Sequence, residues 1–384
     1  MRSRLVLLAA LVALLLAVLP GVVAGAASLS SATQQRLDRA LSGAFAKTRA
    51  PGAIVGVWIG GKGWTATKGT AVRGKKTTPS IGDRTRIGSV TKTFTGTVIL
   101  QLVEEGKLRL DEPIAKWFPE APEAANITIR ELGDMSSGID TYTADEAITN
   151  RYFADPTRSW KPADLIAGGL SQPRKFAPGT GFFYSDTNTL MLGQIAEAVT
   201  GKSIGTLLRE RIFVPLNLKG TSFPSTSKLA VPFWNGYTDQ SVNGPGPLHD
   251  STDWSPTFAW AAGAIVSTLP DLHRWAVAMG TGSLLSPVEQ AERLKPNPHS
   301  VAGGRAYLFC LGRDHGWLTH TGDIPGYNST VAYLPKAKAT VVVLTNTDAE
   351  ADDPAAGEDA LPAPFIFSAL AKVVTPGNVP TGTH

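Results

Sequence analysis

The tetrapeptide Ser89-Val90-Thr91-Lys92 opens a stretch of helical apolar periodicity and says more about fold and chemistry than any other part of the chain. A serine hydroxyl becomes a good nucleophile only when a base takes its proton. Because a lysine three positions later lies one helical turn away on the same face, Lys92 is placed as a proton acceptor for Ser89. The structural alternative is an N-capping serine followed by an exposed lysine.

The surroundings distinguish this tetrapeptide from a second Ser-x-x-Lys at 225–228. Glycine at 106 is a natural stop for a helix that starts near Ser89. We therefore predict a helix with Ser89 at its N-terminus and Lys92 on the buried side, where desolvation favours the neutral amine. The second copy follows a proline and lacks a helical continuation, so we expect a loop there. The apolar residues spaced four apart in the predicted helix are Val90, Phe94, Val98 and Leu102.

Residues 1–26 have the layout of a secretory signal peptide. Arg2 and Arg4 precede an uncharged apolar run over 5–19, which a Pro-Gly pair and small residues follow. We expect cleavage of this segment and a secreted or cell-envelope location. An uncleaved N-terminal membrane anchor is the alternative, because the uncharged stretch is long enough to cross a bilayer.

The composition excludes several classes of protein. The only cysteine, Cys310, permits no intramolecular disulfide and no thiolate metal site, and we interpret it as a small buried hydrophobe. Beyond residue 26 the chain has 34 basic and 32 acidic residues, and no segment resembles a nucleic-acid-binding module. We therefore expect no nucleic-acid partner, no metal and no cofactor, and we expect a monomer.

Strand-like segments lie near both ends of the chain, and the part between them is rich in helices and loops. This order predicts one α/β (α+β) domain over 31–374, with a sheet completed by the two chain ends. The middle, about 106–268, would form a helical lobe and leave a cleft beside the sheet, a usual place for a small-molecule site. We expect a disordered tail over 375–384. The predicted end elements are strands at 53–59, 64–68, 316–320, 329–334 and 340–345 and a helix at 366–374.

Two further motifs supply the groups that a serine-lysine pair needs. Tyr184 precedes a predicted helix and would shuttle a proton, unless it is simply a half-buried tyrosine. His320-Thr321-Gly322 lies on a predicted strand, where Gly322 would let a substrate backbone approach the strand edge. The N–H of Asp323, with that of Ser89, would then form the oxyanion hole. An exposed strand histidine is the structural alternative for His320.

The order Ser-x-x-Lys, tyrosine, His-Thr-Gly resembles the serine β-lactamase and penicillin-binding protein superfamily. The D-alanyl-D-alanine carboxypeptidases and class C β-lactamases are the most similar branch. The resemblance implies an antiparallel sheet flanked by helices, plus an all-helical lobe. It also implies that Ser89 is the acylated nucleophile, that Lys92 and Tyr184 share the acid and base roles, and that His320 and Thr321 bind substrate.

Two acidic residues depart from the pattern of this superfamily. Asp186 stands where the family has an asparagine, and Asn188 is a candidate substitute for that amide. Asp323 directly follows the third motif. An ionised carboxylate only accepts hydrogen bonds, and it weakens the binding of substrates that carry a carboxylate themselves. We place Asp186, Asn188, His320, Thr321, Gly322 and Asp323 together as substrate-binding residues.

From these motifs we expect an exported serine acyl hydrolase, most similar to a D-alanyl-D-alanine carboxypeptidase that acts on cell-wall peptides. An esterase or a class C-type β-lactamase of the same fold is the alternative, with an ester or a β-lactam as substrate. A non-catalytic protein that binds cell-wall peptidoglycan is the alternative from another class, and Asp186 motivates it. An α/β-hydrolase is disfavoured, because no Gly-x-Ser-x-Gly occurs.

Overall fold

The computed structural model describes residues 27–351 and 361–381, so the predicted signal peptide lies outside the described residues. Twelve strands occur within these ranges. Eight of them form one sheet in the order β1-β3-β2-β12-β11-β10-β9-β8, and the others form the pairs β4–β7 and β5–β6. The strands are β1 (Ala27–Ser28), β2 (Gly52–Ile59), β3 (Lys62–Gly69), β4 (Thr85–Arg86), β5 (Tyr237–Thr238), β6 (His249–Asp250), β7 (Val266–Ser267), β8 (Arg305–Tyr307), β9 (Gly312–Asp314), β10 (Trp317–Ile324), β11 (Tyr327–Leu334) and β12 (Ala339–Thr345).

Eleven α-helices accompany the strands in the described residues. They are α1 (Ser31–Phe45), α2 (Thr91–Glu104), α3 (Ile129–Gly133), α4 (Glu146–Ala154), α5 (Pro162–Ser171), α6 (Asp186–Thr200), α7 (Ile204–Leu208), α8 (Trp260–Gly263), α9 (Leu269–Thr281), α10 (Pro287–Arg293) and α11 (Pro362–Val374). No helix in the described ranges has both the length and the apolar character needed to cross a membrane.

The sheet joins the two ends of the chain, as predicted. β2 pairs antiparallel with β12, with Thr340 opposite Trp58. The other strand pairs of the eight-stranded sheet are also antiparallel, except the short parallel contact between β1 and β3. Both faces of β12 are buried. Val341 and Val343 pack toward α1 and α11, whereas Val342 and Leu344 pack toward the rest of the molecule. The expected α/β architecture with helices on both sides of an antiparallel sheet is therefore confirmed.

α2 runs through the centre of the larger core and contacts α6 and α8. Eleven of its fourteen residues are buried, which is more than the predicted one-sided stripe. Threonines account for the difference, because their hydroxyls are satisfied inside the protein. Thr95 Oγ1 donates to the Ala261 carbonyl at 2.7 Å, and Thr93 Oγ1 donates to the Val90 carbonyl at 2.7 Å. The helix ends at Glu104, just before Gly106 with its φ of +67°, as predicted.

The C-terminal tail differs from the prediction. Residues 375–381 pack on the sheet edge instead of being disordered, because they satisfy polar groups there. The indole N–H of Trp317 donates to the Asn378 carbonyl at 2.8 Å, and the Asn378 amide donates to the His315 carbonyl at 2.7 Å. The Thr381 N–H donates to Asp314 Oδ2 at 3.1 Å. The tail prediction is therefore wrong for 375–381, and 382–384 lie outside the described residues.

Candidate active site

Ser89 lies in a 3₁₀ turn, Gly88–Val90, that leads directly into α2. The residue is half-buried and faces a cavity between the sheet and the helical lobe. Gly88 has φ +49°, and a Cβ on it would lie 2.7 Å from the backbone nitrogen of Asp323. Glycine is thus needed at this position, because the turn that carries the nucleophile is packed directly on β10. The predicted placement of Ser89 at a helix start is confirmed.

Lys92 is fully buried one turn into α2 and makes three polar contacts. Its Nζ lies 2.8 Å from Ser89 Oγ, 3.2 Å from the Ala262 carbonyl oxygen and 2.5 Å from Asp186 Oδ1. An ammonium group has three N–H donors and no acceptor. All three donors of Lys92 therefore have a partner, and one of them is directed at the candidate nucleophile.

Tyr184 completes the predicted group of three. Its ring centre lies 4.8 Å from Lys92 Nζ, and its hydroxyl is near enough to interact with both Lys92 and Ser89. Burial raises the pKa of Tyr184, and the Lys92 cation offsets this only in part. The phenol is therefore protonated at neutral pH. The structure brings Ser89, Lys92 and Tyr184 together, as expected for a nucleophile and two groups that transfer its proton.

The charge on Lys92 differs from the sequence-based expectation. Burial lowers the pKa of Lys92, but the adjacent Asp186 carboxylate and the Tyr184 hydroxyl together outweigh burial and leave this pKa above its ordinary value. The sequence indicated a desolvated, neutral lysine. The lysine is instead an ammonium that forms an ion pair with Asp186.

Asp186 and Asn188 take different directions at the start of α6. The carboxylate of Asp186 is directed at Lys92 and also lines the cavity. The side chain of Asn188 is fully buried, accepts from Ser137 Oγ at 2.8 Å and donates to Met135 Sδ at 3.5 Å. Asn188 therefore does not replace the family asparagine, and its prediction as a substrate-binding residue is wrong.

His320 lies behind the cavity wall. It is buried, with Nδ1 2.6 Å from the Thr321 carbonyl oxygen and Nε2 3.3 Å from the Tyr307 hydroxyl. Its ring centre is 6.1 Å from that of Tyr184. Its burial contradicts the exposed-histidine alternative, and its role in substrate binding stays a prediction. Thr321, next on β10, is half-buried.

Gly322 serves the protein's own packing. A Cβ on Gly322 would lie 1.9 Å from the Ile87 carbonyl oxygen and 2.5 Å from Ser329 Oγ. The expectation that this glycine makes room for a substrate backbone is therefore wrong, because the turn before Ser89 already occupies that space.

The backbone of Asp323 is placed as an oxyanion hole requires. β10 and β11 are joined by a two-residue turn, with Ile324 opposite Tyr327 and Gly322 opposite Ser329. In such a hairpin these pairs exchange hydrogen bonds, and the N–H of the residue between them points away from the partner strand. The Asp323 N–H therefore points away from β11 and toward the turn that carries Ser89.

The cavity in front of Ser89 has a volume of about 280 Å³ and one aromatic wall. In that wall the rings of Tyr152 and Phe258 stack with centres 3.8 Å apart, and the Tyr142 hydroxyl donates to the Phe258 carbonyl at 2.6 Å. These aromatic residues are not predicted from the sequence, where their only signal is aromatic enrichment in the helical lobe. The lining contains two acidic residues and no Lys or Arg: Ser89, Tyr142, Thr143, Thr149, Tyr152, Phe153, Asp186, Gln240, Phe258, Ala259, Ala262, Gly263, Asp323, Ile324 and Pro325.

A buried carboxyl group, Asp348, accepts hydrogen bonds from the loop residues on one side of the cavity. It accepts from the Gly326 N–H at 2.9 Å, from Thr238 Oγ1 at 2.8 Å and from Gln240 Nε2 at 2.6 Å. Burial raises the pKa of Asp348 to about 6. Surrounding protein atoms and the Asp348 carboxyl also raise the pKa of Asp323, although Asp323 opens to the cavity.

Three other features of the sequence concern possible metal ligands, the second Ser-x-x-Lys and Cys310. Within the described residues, no group of three or more His, Cys, Asp or Glu side chains is arranged to hold a metal ion. The second Ser-x-x-Lys at 225–228 lies in a loop, as predicted. Cys310 is fully buried below α2, and burial raises the pKa of its thiol to about 12, so it is an inert packing residue.

Comparison with known proteins agrees with this geometry. The sequence profile of the family described as Beta-lactamase matches residues 37–363. The chain belongs to the beta-lactamase family. Its membership, predicted from the three motifs, is therefore confirmed, and the chain has the fold of the β-lactamase and penicillin-binding protein superfamily.

The chain is similar to one curated protein and to two solved structures that carry three different names. The protein flp of Staphylococcus aureus strain N315 is 27% identical over 84% of the chain, which spans 65% of the length of flp. A D-stereospecific amidohydrolase from Streptomyces sp. superposes with a TM-score of 0.74 at 32% identity, covering 84% of this chain and 96% of the other. The D-amino acid amidase of Ochrobactrum anthropi SV3 gives a TM-score of 0.75 at 26% identity, covering 90% and 98%.

Proposed function

We propose that this beta-lactamase-family serine hydrolase cleaves amides of small D-amino acids that carry a free ammonium group, through an ester on Ser89. The observation that carries the proposal is the Asp186 carboxylate, which lines the cavity beside Ser89 and contacts Lys92 at 2.5 Å. The D-stereospecificity rests on the names of the similar amidohydrolase and amidase.

Charge favours a cationic substrate over an anionic one. With Asp186 in place of the family asparagine, the site carries one more negative charge, and no Lys or Arg lines the described cavity. A charge at contact distance in a partly buried site has an interaction of several kcal/mol. A substrate carboxylate would be repelled there, whereas an ammonium would gain an acceptor. The aromatic wall of Tyr152 and Phe258 would receive an apolar side chain.

The residues support a conventional acyl transfer. Once Lys92 has lost its own proton, Ser89 Oγ attacks the amide carbon while the serine proton passes to Lys92, directly or through the Tyr184 hydroxyl. The carbonyl oxygen, now negative, accepts from the N–H groups of Ser89 and Asp323. The amine leaves with the transferred proton, and water then hydrolyses the ester on Ser89.

A panel of four substrates tests the proposal. We expect the highest kcat/KM for D-phenylalanine amide, followed by its N-acetyl derivative, an N-acylated D-alanyl-D-alanine peptide and a chromogenic cephalosporin. All turnover should vanish in Ser89→Ala. Preference for the D-alanyl-D-alanine peptide would overturn the proposal, and identical rates in both forms of the protein would favour the non-catalytic alternative.

A D-alanyl-D-alanine carboxypeptidase is the second candidate, and the edge of β10 favours it. β9 pairs with β10 at residues 317–319, so the part of β10 that lines the cavity, Asp323 and Ile324, extends past this pairing. An extended peptide binds well to such an edge through main-chain hydrogen bonds. The repulsion between Asp186 and a terminal carboxylate places this candidate second, and the same panel separates the two.

We also propose export of the protein, on the basis of the charge and apolar pattern of residues 1–26. We further propose that the protein binds cell-wall peptidoglycan and that it is a monomer. N-terminal sequencing of the mature protein tests export, and a start at Met1 would contradict it. Sedimentation with purified cell walls tests the peptidoglycan partner, and size-exclusion chromatography with light scattering tests the monomer.

A further inference from the structure

We propose that Asp186 is a positioning residue that keeps Lys92 protonated until the ammonium group of a substrate engages the carboxylate. Substrate binding itself would then convert the lysine into a base. The inference rests on the proposed function, because it requires a cationic substrate. A positive charge on the substrate would then be required for acylation, in addition to strengthening binding.

The contacts of Lys92 show why it is not a base before substrate binds. Its three donors are directed at Ser89 Oγ, at the Ala262 carbonyl and at Asp186 Oδ1. An ammonium that donates to Ser89 Oγ has no lone pair to take the serine proton. Of the three partners, Asp186 alone carries a full charge, and its distance of 2.5 Å is the shortest.

Access to the two members of the ion pair is unequal. The side chain of Lys92 is 0% exposed, whereas that of Asp186 is 26% exposed and lines the cavity. A ligand cation therefore reaches the carboxylate but not the lysine. A carboxylate has about four lone-pair positions, so Asp186 has capacity to accept from a substrate ammonium as well as from Lys92.

Other titratable groups around Lys92 do not take over the role of Asp186. Tyr184, from the segment before α6, is a neutral phenol because burial raises its pKa. Cys310, from the loop between β8 and β9, is a neutral thiol with a pKa of about 12. From α8 the lysine meets the carbonyl of Ala262, which does not titrate. Asp186 is thus the charged group that opposes the effect of burial on Lys92.

The proposed sequence of proton transfers is balanced. When a substrate ammonium shares the Asp186 carboxylate, Asp186 no longer fully offsets the effect of burial, which lowers the pKa of Lys92. Lys92 then releases one proton to solvent. The neutral amine then takes the proton of the Ser89 hydroxyl as Oγ bonds to the amide carbon and the carbonyl electron pair moves to oxygen. Lys92 later returns this proton to the leaving amine.

A pair of substrates that differ only in charge tests the inference. One is the p-nitroanilide of N-trimethyl-D-phenylalanine, whose ammonium does not titrate, and the other replaces its quaternary nitrogen with carbon. The rate of p-nitroaniline release in the acylation phase is measured against pH. Rates at saturating substrate report ionisation in the complex, whereas kcat/KM reports ionisation in the free enzyme.

In the wild type we expect the two substrates to share one kcat/KM midpoint. At saturation, the midpoint for the cationic substrate should lie at least about one pH unit below that for the neutral one. Asp186→Asn should make the saturation midpoints coincide and lower the kcat/KM midpoint. Asp186→Glu should restore part of the difference.

Asp140→Asn is a matched control, because Asp140 is a buried carboxylate whose ion-pair partner, at 2.8 Å, is Lys175 and not Lys92. It should leave the difference between the two midpoints intact. Equal saturation midpoints in the wild type would overturn the inference, and this comparison needs no folded variant. Failure of the proposed function looks different, since neither anilide would then be hydrolysed while the D-alanyl-D-alanine peptide would be.

Discussion

The carbonyl oxygen of Ile87 lies only 1.9 Å from the position that a Cβ on Gly322 would occupy. The turn that carries Ser89 therefore rests on the bare backbone of β10. Ser329 Oγ, from the neighbouring strand, donates to the same carbonyl at 2.9 Å. The position of the nucleophile is thus fixed by the sheet as well as by its own helix.

Gly322→Ala should damage both stability and catalysis, because the added methyl group must displace the Ile87 carbonyl or the strand. We expect the free energy of unfolding to fall by about 2–3 kcal/mol and the rate of acylation to fall with it. Urea unfolding and p-nitroaniline release measure the two effects. Gly43→Ala is the control, since nothing lies within 4 Å of that helical position. It should gain up to about 1 kcal/mol, and equal effects at both sites would contradict the packing argument.

Ser89→Ala should abolish the covalent intermediate and lower kcat by at least about a thousandfold, because no other hydroxyl contacts both Lys92 and the cavity in the described site. Intact-protein mass spectrometry after quenching with acid should show an acyl adduct in the wild type only. Ser225→Ala, in the loop copy of the motif, should behave like the wild type. An adduct that persists in Ser89→Ala would place the nucleophile elsewhere.

Tyr184→Phe should slow acylation without unfolding the protein, because it removes only the hydroxyl that interacts with Ser89 and Lys92. Loss of one proton-transfer group typically lowers the rate by about 10²–10⁴-fold. Tyr142→Phe removes a hydroxyl from the cavity wall instead. It should cost about 1 kcal/mol of stability with little change in kcat. Comparable kcat values for the two variants would argue against a proton-transfer role for Tyr184.

Asp348→Ala should destabilise the loop side of the cavity, because three donors lose their acceptor. We expect a loss of about 3 kcal/mol in the free energy of unfolding. KM should also rise, since Gln240 lines the cavity. Asp111→Ala removes a carboxylate whose side chain is 73% exposed and should change stability by less than about 0.5 kcal/mol. Chemical denaturation of both variants decides the comparison.

The sequence predicted the sheet and the nucleophile well, for physical reasons. Strand segments at both chain ends carry enough β-branched residues to be recognised, and the helix after Ser89 shows regular spacing. Tyr184 was found because chain order and family resemblance point to it. These signals are local, so they survive without knowledge of tertiary contacts.

Side-chain direction could not be predicted in the same way. Asp186 and Asn188 are two residues apart at the start of α6, which places them on opposite sides of a helix. The sequence gives both as candidates, and only the packing of α6 on α2 decides that Asp186 contacts Lys92. The aromatic wall likewise combines Tyr142, Tyr152 and Phe258 from separate segments, so no single stretch of sequence predicts it.

The union of the two chain ends in one sheet has a consequence for biosynthesis. Ile87 and Ser329 are 242 positions apart, so the strand pair that supports the nucleophile leaves the ribosome long after Ser89 does. Contacts this distant in sequence form late and slowly. A nascent chain therefore carries Ser89 without the strand pair that supports it until nearly the whole polypeptide has been made.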